Sequence, residues 1–359
     1  MKKKIYKRII VNIVDLFCGA GGFSFGFELA GLKVTYGIDI WETALKTFKK
    51  NHINSKVLKK DISKLKGKEL NNIFNKTDLI IGGPPCQPFS TAGKRALDDK
   101  RALLVKEYAR IIKEVKPQIF VFENVKGFPS FAKGFLLQEI LDIFDYIGYN
   151  LSFGILNTKN FGIPQNRERF IIIGSLNKKI ELPKPLNIIW TFKDATSDLP
   201  KINAGEEAKE YLTNPQNDLQ KYYRRKSPII LTEHKAKNHS KKILEMMKYI
   251  PEGKSAHEVL LDIPEELRPT SGYKNTYKRI KWNEPAPTIT RNFCVPSSSN
   301  CIHPEYNRTL TIREAARIQS FPDDYIFCGN DIDKRIQIGN AISPLLGKII
   351  ANNILNYFY

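Results

Sequence analysis

Short apolar runs separated by polar turns recur along the first half of the chain. Runs at residues 9–14, 33–38, 79–81, 118–122 and 170–174 have the length and composition of buried strands. Longer segments with helical spacing lie between several of them. This alternation predicts an α/β fold built on an open, mainly parallel sheet.

Two more strands and two helices extend this alternation, which ends near residue 175. Strands are expected near residues 56–58 and 151–156, with helices over about 103–115 and 136–147. Between residues 175 and 304 the alternation gives way to polar stretches punctuated by proline. We therefore predict one domain from residues 1–174 plus 305–359, and a smaller second domain at 175–304.

Ligand-suited residues follow the first three predicted strands. A glycine-rich turn at 15–22 joins the first strand to a helix, which is typical of a nucleotide-binding half-sheet. Asp39 could accept both hydroxyls of a ribose, and Asp61 the exocyclic amine of an adenine held between Ile40 and Ile62. Each acid alone could instead be a helix N-cap. The glycine pattern is not a G-x-G-x-x-G followed by pyrophosphate-binding features, so a single adenosine fits better than a dinucleotide.

A possible nucleophile follows the fourth strand. Cys86 comes directly after Pro84 and Pro85, at a strand end where open α/β sheets expose reactive groups. A small buried apolar cysteine is the alternative. Glu123 ends the next strand, where burial could hold a carboxyl protonated for use as an acid, or where it could cap the following segment.

Two arginines precede the strand at 170–174. Arg167 and Arg169 could form salt bridges on the sheet surface, or point at a base or phosphate.

The charge balance favours a polyanionic partner. The chain has 57 Lys and Arg against 37 Asp and Glu, a net charge of +20, which suits nucleic acid. A lysine-rich, low-GC coding sequence would give a similar excess.

The cysteines and the amino terminus bear on compartment. The cysteine number is odd at five, which predicts a reducing compartment rather than a disulfide framework. Cys294, Cys301 and His303 lie close in sequence, but ordinary loop thiols are favoured over a zinc site, and no metal is expected. The basic amino terminus leads into a strand and not into a signal peptide or membrane span, so we expect a cytoplasmic protein.

Several segments, in order, carry a family resemblance. They are Pro-Pro-Cys-Gln at 84–87, Glu-Asn-Val at 123–125 and Gln-x-Arg-x-Arg at 165–169, with the opening Asp-Leu-Phe-x-Gly-x-Gly-Gly at 15–22 and two segments at 308–323 and 337–344. Through them the chain resembles the cytosine-C5 DNA methyltransferases over about residues 10–174 and 286–355. The resemblance implies a Rossmann-like S-adenosylmethionine-dependent methyltransferase sheet with a smaller, irregular target-recognition domain. The first domain, 1–174 plus 305–359, would be the catalytic and cofactor-binding one, and 175–304 the target-recognition domain.

The resemblance also assigns catalytic roles. A thiolate of Cys86 would add to carbon 6 of cytosine and make carbon 5 nucleophilic. Protonated Glu123 would hold ring nitrogen 3, and Arg169 the carbonyl oxygen. Arg167 would support the site, and Asn124 would help to position the ring and the Pro–Cys turn.

The implied cofactor is S-adenosylmethionine. The residues that would line it are Phe17, Gly19, Gly21, Asp39, Ile40, Asp61, Ile62, Pro85, Leu104, Asn340 and Ala341. Family members often carry Glu then Trp where this chain has Asp39 and Ile40, so the acid here is shorter and the apolar contact smaller.

The implied partner is duplex DNA, held in a cleft between the two domains. A cytosine must leave the stack to reach Cys86, at a cost of a few kcal/mol, and the loop at 87–101 is expected to close over it. The residues expected to contact DNA are Gln87, Ser90, Ala92, Lys94, Arg95, Thr288, Thr290 and Arg291. We expect a monomer, no membrane association, and a companion restriction endonuclease that acts on the same site without direct contact.

Three alternatives share parts of this pattern. A tRNA cytosine-C5 methyltransferase of the same fold would carry the same motifs, although the long basic insertion favours DNA. A catalytically silent DNA-binding relative is expected to lack Cys86 or Glu123, and both are present. An amino-group methyltransferase would carry an Asp/Asn-Pro-Pro-aromatic motif in place of Pro84-Pro85-Cys86.

Overall fold

The computed structural model describes residues 11–85, 100–226, 230–270 and 272–358. Cys86 and the predicted DNA-contacting residues Gln87, Ser90, Ala92, Lys94 and Arg95 lie outside these ranges. The expected start of the first strand at residue 9 also lies outside them.

A seven-stranded sheet organises the first part of the chain. Its strands are β1 (Asn12–Leu16), β2 (Lys33–Asp39), β3 (Lys56–Lys59), β4 (Leu79–Gly82), β5 (Ile119–Val125), β6 (Asn150–Asn157) and β8 (Glu168–Ser175). Two short strands, β7 (Gln165–Asn166) and β9 (Ala286–Pro287), form a separate pair. The order across the large sheet is β3-β2-β1-β4-β5-β8-β6. Across the sheet, the neighbouring strands β3, β2, β1, β4 and β5 pair in parallel, and β8 pairs with β5 antiparallel. The predicted α/β fold with a mainly parallel sheet is confirmed.

Eleven α-helices lie in the described residues. They are α1 (Gly22–Leu29), α2 (Glu42–Asn51), α3 (Gly67–Phe74), α4 (Lys100–Val115), α5 (Phe135–Ile147), α6 (Phe192–Thr196), α7 (Asp218–Tyr223), α8 (Lys241–Lys248), α9 (Ile312–Ile318), α10 (Asp331–Asn340) and α11 (Pro344–Phe358). Those between β1 and β6 alternate with the strands. Those from α6 to α9 are eight residues or shorter, so the regular alternation ends where the sequence predicts.

Several strands run further than their apolar runs suggest, and β1 and β5 show why. β1 ends at Leu16 rather than residue 14, because Asp15 and Leu16 still pair with both β2 and β4. β5 continues to Val125 because its pairing with β8 does. The backbone pairing therefore includes a polar residue in each strand, Asp15 in β1 and Glu123 in β5, where the hydrophobic pattern alone predicts that the strand ends.

By compactness the chain divides into two units. Unit 1 comprises residues 1–156, 168–184 and 347–359, and unit 2 comprises 157–167 and 185–346. In unit 1 the central strands β1, β4 and β5 are largely buried, with Ile80, Tyr108, Phe120 and Phe144 in one apolar cluster, as expected for the centre of a parallel sheet covered on both faces. The prediction that residues 175–304 form a target-recognition domain stays a prediction.

Buried charges hold part of unit 2 together. Arg317 in α9 is fully buried and donates to Asp198 and to Asp323, with its Nε 2.9 Å from Asp323 Oδ1. Tyr211 adds a hydroxyl bond of 2.9 Å to Asp323. Burial would raise the pKa of Asp323, but the attraction of Arg317 holds that pKa below its usual value.

Removing the central cation should therefore destabilise unit 2 strongly. Arg317→Met leaves two buried carboxylates without their main partner, so we expect urea unfolding to show a loss of about 3–5 kcal/mol. Lys248→Met is the matched control, since Lys248 forms an exposed pair with Glu245 that should contribute less than about 1 kcal/mol. Equal losses in the two variants would contradict a stabilising role for the buried network.

Candidate active site

The predicted chemistry lies at one edge of the sheet in unit 1. β1, β2, β4 and β5 are parallel neighbours, so their carboxyl ends meet at this edge. Asp39, the Pro84–Pro85 turn and Glu123 follow or end these strands. β8 runs the opposite way and therefore begins here, with Arg169 opposite Val125 of β5.

Glu123 and Arg169 form an ion pair at this edge. Arg169 Nε lies 2.7 Å from Glu123 Oε1, and the side chains are 13% and 11% exposed. Arg169 also donates to the carbonyl oxygen of Glu168. Burial lowers the pKa of Arg169, and the pairing with Glu123 opposes that shift. Glu123 and Arg169, which the resemblance assigns to nitrogen 3 and the carbonyl oxygen of cytosine, are thus paired with each other. The protonated state expected for Glu123 stays a prediction.

Asn124 connects the end of β5 to the turn that precedes Cys86. Its side-chain amide donates to the carbonyl oxygen of Pro84 over 3.4 Å, and its own oxygen accepts from the Val125 N–H. Asn124 and Pro84 are buried, whereas Pro85 is exposed. The amide therefore fixes the last described turn before the predicted nucleophile.

The glycine-rich turn is tied to Asp39. The Gly19 N–H donates to one carboxylate oxygen over 2.9 Å, and the Trp41 N–H to the other over 2.8 Å. Gly19 and Gly21 have φ of 51° and 91°, and Phe17 has φ of 60°, which is a costly conformation for a side chain of that size. Such strain clusters at binding sites, and here it coincides with residues predicted to line the cofactor.

The predicted adenine contacts are placed less uniformly. Asp61 caps the turn at Ile62–Lys64 by accepting from the backbone and hydroxyl of Ser63, the alternative that the sequence left open, and these bonds lower its pKa. Ile62 is buried in the core, while Ile40 is 67% exposed. Their grip on an adenine ring stays a prediction.

Leu104 lies half-buried on α4 against the core of unit 1. Asn340 and Ala341 lie in unit 2, where Asn340 ends α10 and Ala341 follows it. Their predicted role in closing the cofactor pocket stays a prediction.

Arg167 and the predicted DNA-contacting loop belong together in unit 2. Arg167 is buried and donates to the carbonyl oxygens of Ile289 and Gly339 over 2.8 and 2.9 Å. Thr290 and Arg291 beside it are exposed. Arg167 therefore binds backbone carbonyl groups, which is consistent with a supporting role. Arg169, and not Arg167, is the arginine paired with Glu123.

Three polar residues matter more here than sequence reasoning indicated. Asp15 lies buried under the glycine-rich turn, with the Ser24 hydroxyl 2.5 Å from its carboxylate. Gln165 and Gln319 are fully buried and hydrogen-bonded to each other. An acid inside an apolar run is a usable signal for Asp15, whereas the partnership of two glutamines 154 positions apart has no local signal.

The cysteines and histidine near residue 300 have ordinary contacts. Cys294 and Cys301 are buried, and His303 Nδ1 accepts from the backbone N–H groups of Glu305 and Tyr306. Burial raises the pKa of both thiols to about 12. Over the described part of the chain, no group of three or more His, Cys, Asp or Glu side chains could hold a metal ion.

Comparison with known proteins decides the family. A family model described as C-5 cytosine-specific DNA methylase matches residues 11–356. The chain belongs to this family. It is a cytosine-C5 DNA methyltransferase, as its order of motifs predicts.

Individual relatives agree over nearly the whole chain. Type II methyltransferase M1.HphI of Haemophilus parahaemolyticus is 37% identical over 352 residues, which are 96% of this chain and 87% of the relative. Type II methyltransferase M.DdeI of Desulfomicrobium norvegicum is 36% identical over 378 residues, covering 97% and 89% of the two chains.

Solved structures share the fold of this methyltransferase. A crystal structure of a DNA modification methyltransferase encoded within an E. coli prophage matches with a TM-score of 0.79 and 26% identity, covering 97% of this chain and 99% of that one. The S. pombe Dnmt2 methyltransferase matches with a TM-score of 0.58 over 97% and 99% of the two chains, at 19% identity, a likeness of fold alone. Among the described residues of the methyltransferase, no helix is long and apolar enough to cross a membrane.

Asp15 should make the stability of this methyltransferase depend on pH. Burial raises the pKa of Asp15 from 3.8 to about 8, with the Ser24 bond opposing and Asp39 adding to the shift. Between these values the folded protein keeps a proton that the unfolded chain releases, so stability falls with rising pH by up to about 1.4 kcal/mol per unit.

Asp15→Asn removes this titration and can still accept from Ser24. Relative to wild type, the variant should become progressively more stable as pH rises from 5 to 8, measured by urea unfolding at each pH. Asp142→Asn, on the exposed surface of α5, is the matched control. A difference that stays flat, or falls with pH, would show that Asp15 is ionised in the folded protein.

Proposed function

We propose that this methyltransferase transfers a methyl group from S-adenosylmethionine to carbon 5 of a cytosine flipped out of a specific duplex DNA sequence. The observation that carries the proposal is the Glu123–Arg169 pair beside the Asn124–Pro84 contact. It supplies a carboxyl and a guanidinium at the end of β5, where the neighbouring residue Asn124 bonds to the segment that leads to Cys86.

The residues at the sheet edge suit the proposed cofactor. Asp39 is anchored by two backbone N–H groups and still has lone pairs for ribose hydroxyls. Positive φ at Phe17, Gly19 and Gly21 shapes a turn that lets a ligand approach the backbone. When bound, S-adenosylmethionine would supply an electrophilic methyl group on a sulfonium.

Cys86 would open the reaction as a thiolate. Its sulfur forms a bond to carbon 6 of cytosine, and the electron pair of the C5–C6 double bond shifts so that carbon 5 becomes nucleophilic. Once carbon 5 has taken the methyl group and S-adenosylhomocysteine has been released, loss of the proton on carbon 5 to a base, with water as a candidate, re-forms the double bond and expels the thiolate of Cys86.

Glu123 and Arg169 would stabilise the charge that this addition creates. Nitrogen 3 and the neighbouring carbonyl oxygen of cytosine are both acceptors, so both need donors. Arg169 can donate to the oxygen, and Glu123 can donate to nitrogen 3 only when it is protonated. Binding of the base therefore replaces the Glu123–Arg169 ion pair by two hydrogen bonds to cytosine, with uptake of one proton by Glu123.

DNA specificity would come from unit 2 and the segment after Cys86. Thr288, Thr290 and Arg291 are proposed to contact the target sequence, together with Gln87, Ser90, Ala92, Lys94 and Arg95. The exposed position of Thr290 and Arg291 supports this. The net charge of +20 favours a phosphate backbone as partner. We also propose a companion endonuclease that reads the same site, and a monomeric enzyme.

Expression in a methylation-deficient host tests the proposed substrate. Bisulfite sequencing should show 5-methylcytosine in one short sequence context. Cys86→Ser should abolish it, while Cys328→Ser, a change at a half-buried cysteine remote in sequence from the motif, should leave it unchanged. Tritium transfer to tRNA and none to duplex DNA would instead support the tRNA methyltransferase alternative.

Glu123→Gln tests the acid role separately from binding. Glutamine keeps a donor but cannot deliver a proton to nitrogen 3, so kcat should fall by about 10²–10⁴-fold. Affinity for S-adenosylhomocysteine should change little, since that ligand has no cytosine.

Glu168→Gln is the matched control for this variant. Glu168 lies at the same sheet edge but pairs with exposed Lys126, and its replacement should leave kcat near that of wild type. A Glu123→Gln enzyme with wild-type kcat would contradict the acid role.

A further inference from the structure

The segment of residues 165–167 binds the predicted DNA-contacting loop, Thr288–Arg291, which is called the DNA loop below. The Ile289 N–H donates to Gln165 Oε1 over 2.8 Å, and the Thr288 hydroxyl donates to the carbonyl oxygen of Asn166 over 2.8 Å. Arg167 binds the carbonyl oxygen of Ile289. Both polar backbone atoms of Ile289 are thus held by the side chains of residues 165 and 167.

The same segment also holds the end of α10. Arg167 donates to the carbonyl oxygens of Gly339 and Ala341 over 2.9 and 3.4 Å. Gln165 donates to Gln319 Oε1, and Gln319 in turn donates to the carbonyl oxygens of Ile338 and Ala341 over 3.0 and 2.7 Å. A continuous chain of hydrogen bonds therefore runs from the DNA loop to the turn at Asn340–Ala341.

The donor and acceptor orientation of both glutamine amides follows from the groups at the two ends of this series of hydrogen bonds. The Ile289 N–H can only donate, so the oxygen of Gln165 must face it and its NH₂ must face Gln319. The carbonyl of Ala341 can only accept, so the NH₂ of Gln319 faces it and the oxygen remains for Gln165. Both amides have one consistent orientation, and all the groups involved are buried or nearly so.

Direct packing adds a second connection. A Cβ at Gly339 would lie 2.3 Å from the Arg291 nitrogen and 2.5 Å from the carbonyl carbon of Thr290. The backbone of the loop therefore touches the backbone of α10, at a distance that only glycine permits.

We propose that Gln165 and Gln319 act with Arg167 as positioning residues that couple methyl-donor binding at Asn340–Ala341 to the Thr288–Arg291 loop. The inference rests on the proposed function, because it takes the turn as cofactor-binding and the loop as DNA-binding. A ligand that orders either segment also orders the other, so the second ligand loses less conformational freedom on binding. Coupling of this kind typically changes affinity about 5–150-fold, equally in both directions.

The test measures the dissociation constant of the cognate duplex with and without saturating S-adenosylhomocysteine. In wild type the cofactor product should tighten DNA binding at least about fivefold. Gln165→Met and Gln319→Met should each bring this ratio to within about twofold of one. The reciprocal ratio, for S-adenosylhomocysteine with and without DNA, should fall by the same factor.

Gln220→Met is the matched control for loss of a buried amide. Gln220 is as buried as Gln165 and bonds to the Asp194 carbonyl and the Ser197 hydroxyl, away from the loop and the turn. Its replacement costs similar hydrogen bonds, so its ratio should stay at the wild-type value.

Gln319→Met separates coupling from loop anchoring. Gln165 still accepts from the Ile289 N–H, while the bonds of Gln319 to the carbonyl oxygens of Ile338 and Ala341 are lost. DNA affinity without cofactor should therefore stay within about threefold of wild type, on the scale of one lost uncharged hydrogen bond, while the cofactor effect is lost.

Three outcomes would overturn the proposal. They are a wild-type ratio near one in an enzyme that methylates DNA, an unchanged ratio in folded Gln165→Met and Gln319→Met variants, and an equal loss of the ratio in Gln220→Met. Absence of methyl transfer to DNA by wild type would instead refute the proposed function on which the inference rests.

Discussion

The antiparallel pairing of β8 with β5 is the constraint on which the candidate site depends. It sets Arg169 opposite Val125 and brings its guanidinium to 2.7 Å from Glu123. Because successive side chains of a strand point to opposite faces, Glu123 and Asn124 leave β5 in different directions. One reaches Arg169 and the other reaches the carbonyl of Pro84. A single strand end thus organises both the charged pair and the turn before the nucleophile.

The Gln-x-Arg-x-Arg segment divides its side chains between the two units. Gln165 and Arg167 bond within unit 2, while Arg169 bonds within unit 1. The motif is therefore a continuous stretch of chain that contributes to the proposed base-binding site at one end and to the support of the DNA loop at the other.

Periodicity and strand-end chemistry predicted the sheet and the residues at its edge, because both are local properties of the chain. The same logic placed Asp39 at a strand end, where the structure ties it to the glycine-rich turn. The extra length of β1, the burial of Asp15 and the Gln165–Gln319 contact were not predictable, since each depends on partners far along the chain. Asp61 shows the ambiguity that remains, because an acid after a strand suits a cap and a ligand equally.

Covalent attack by Cys86 is the central claim, and trapping with 5-fluorocytosine tests it most directly. Fluorine at carbon 5 cannot leave as a proton does, so the enzyme should remain bound to a cognate duplex that carries the analogue in the presence of S-adenosylmethionine. Digestion and mass spectrometry should then find the adduct on the peptide that contains Cys86. Methylation of the normal duplex by the same preparation, with no adduct or with an adduct on another residue, would contradict the account.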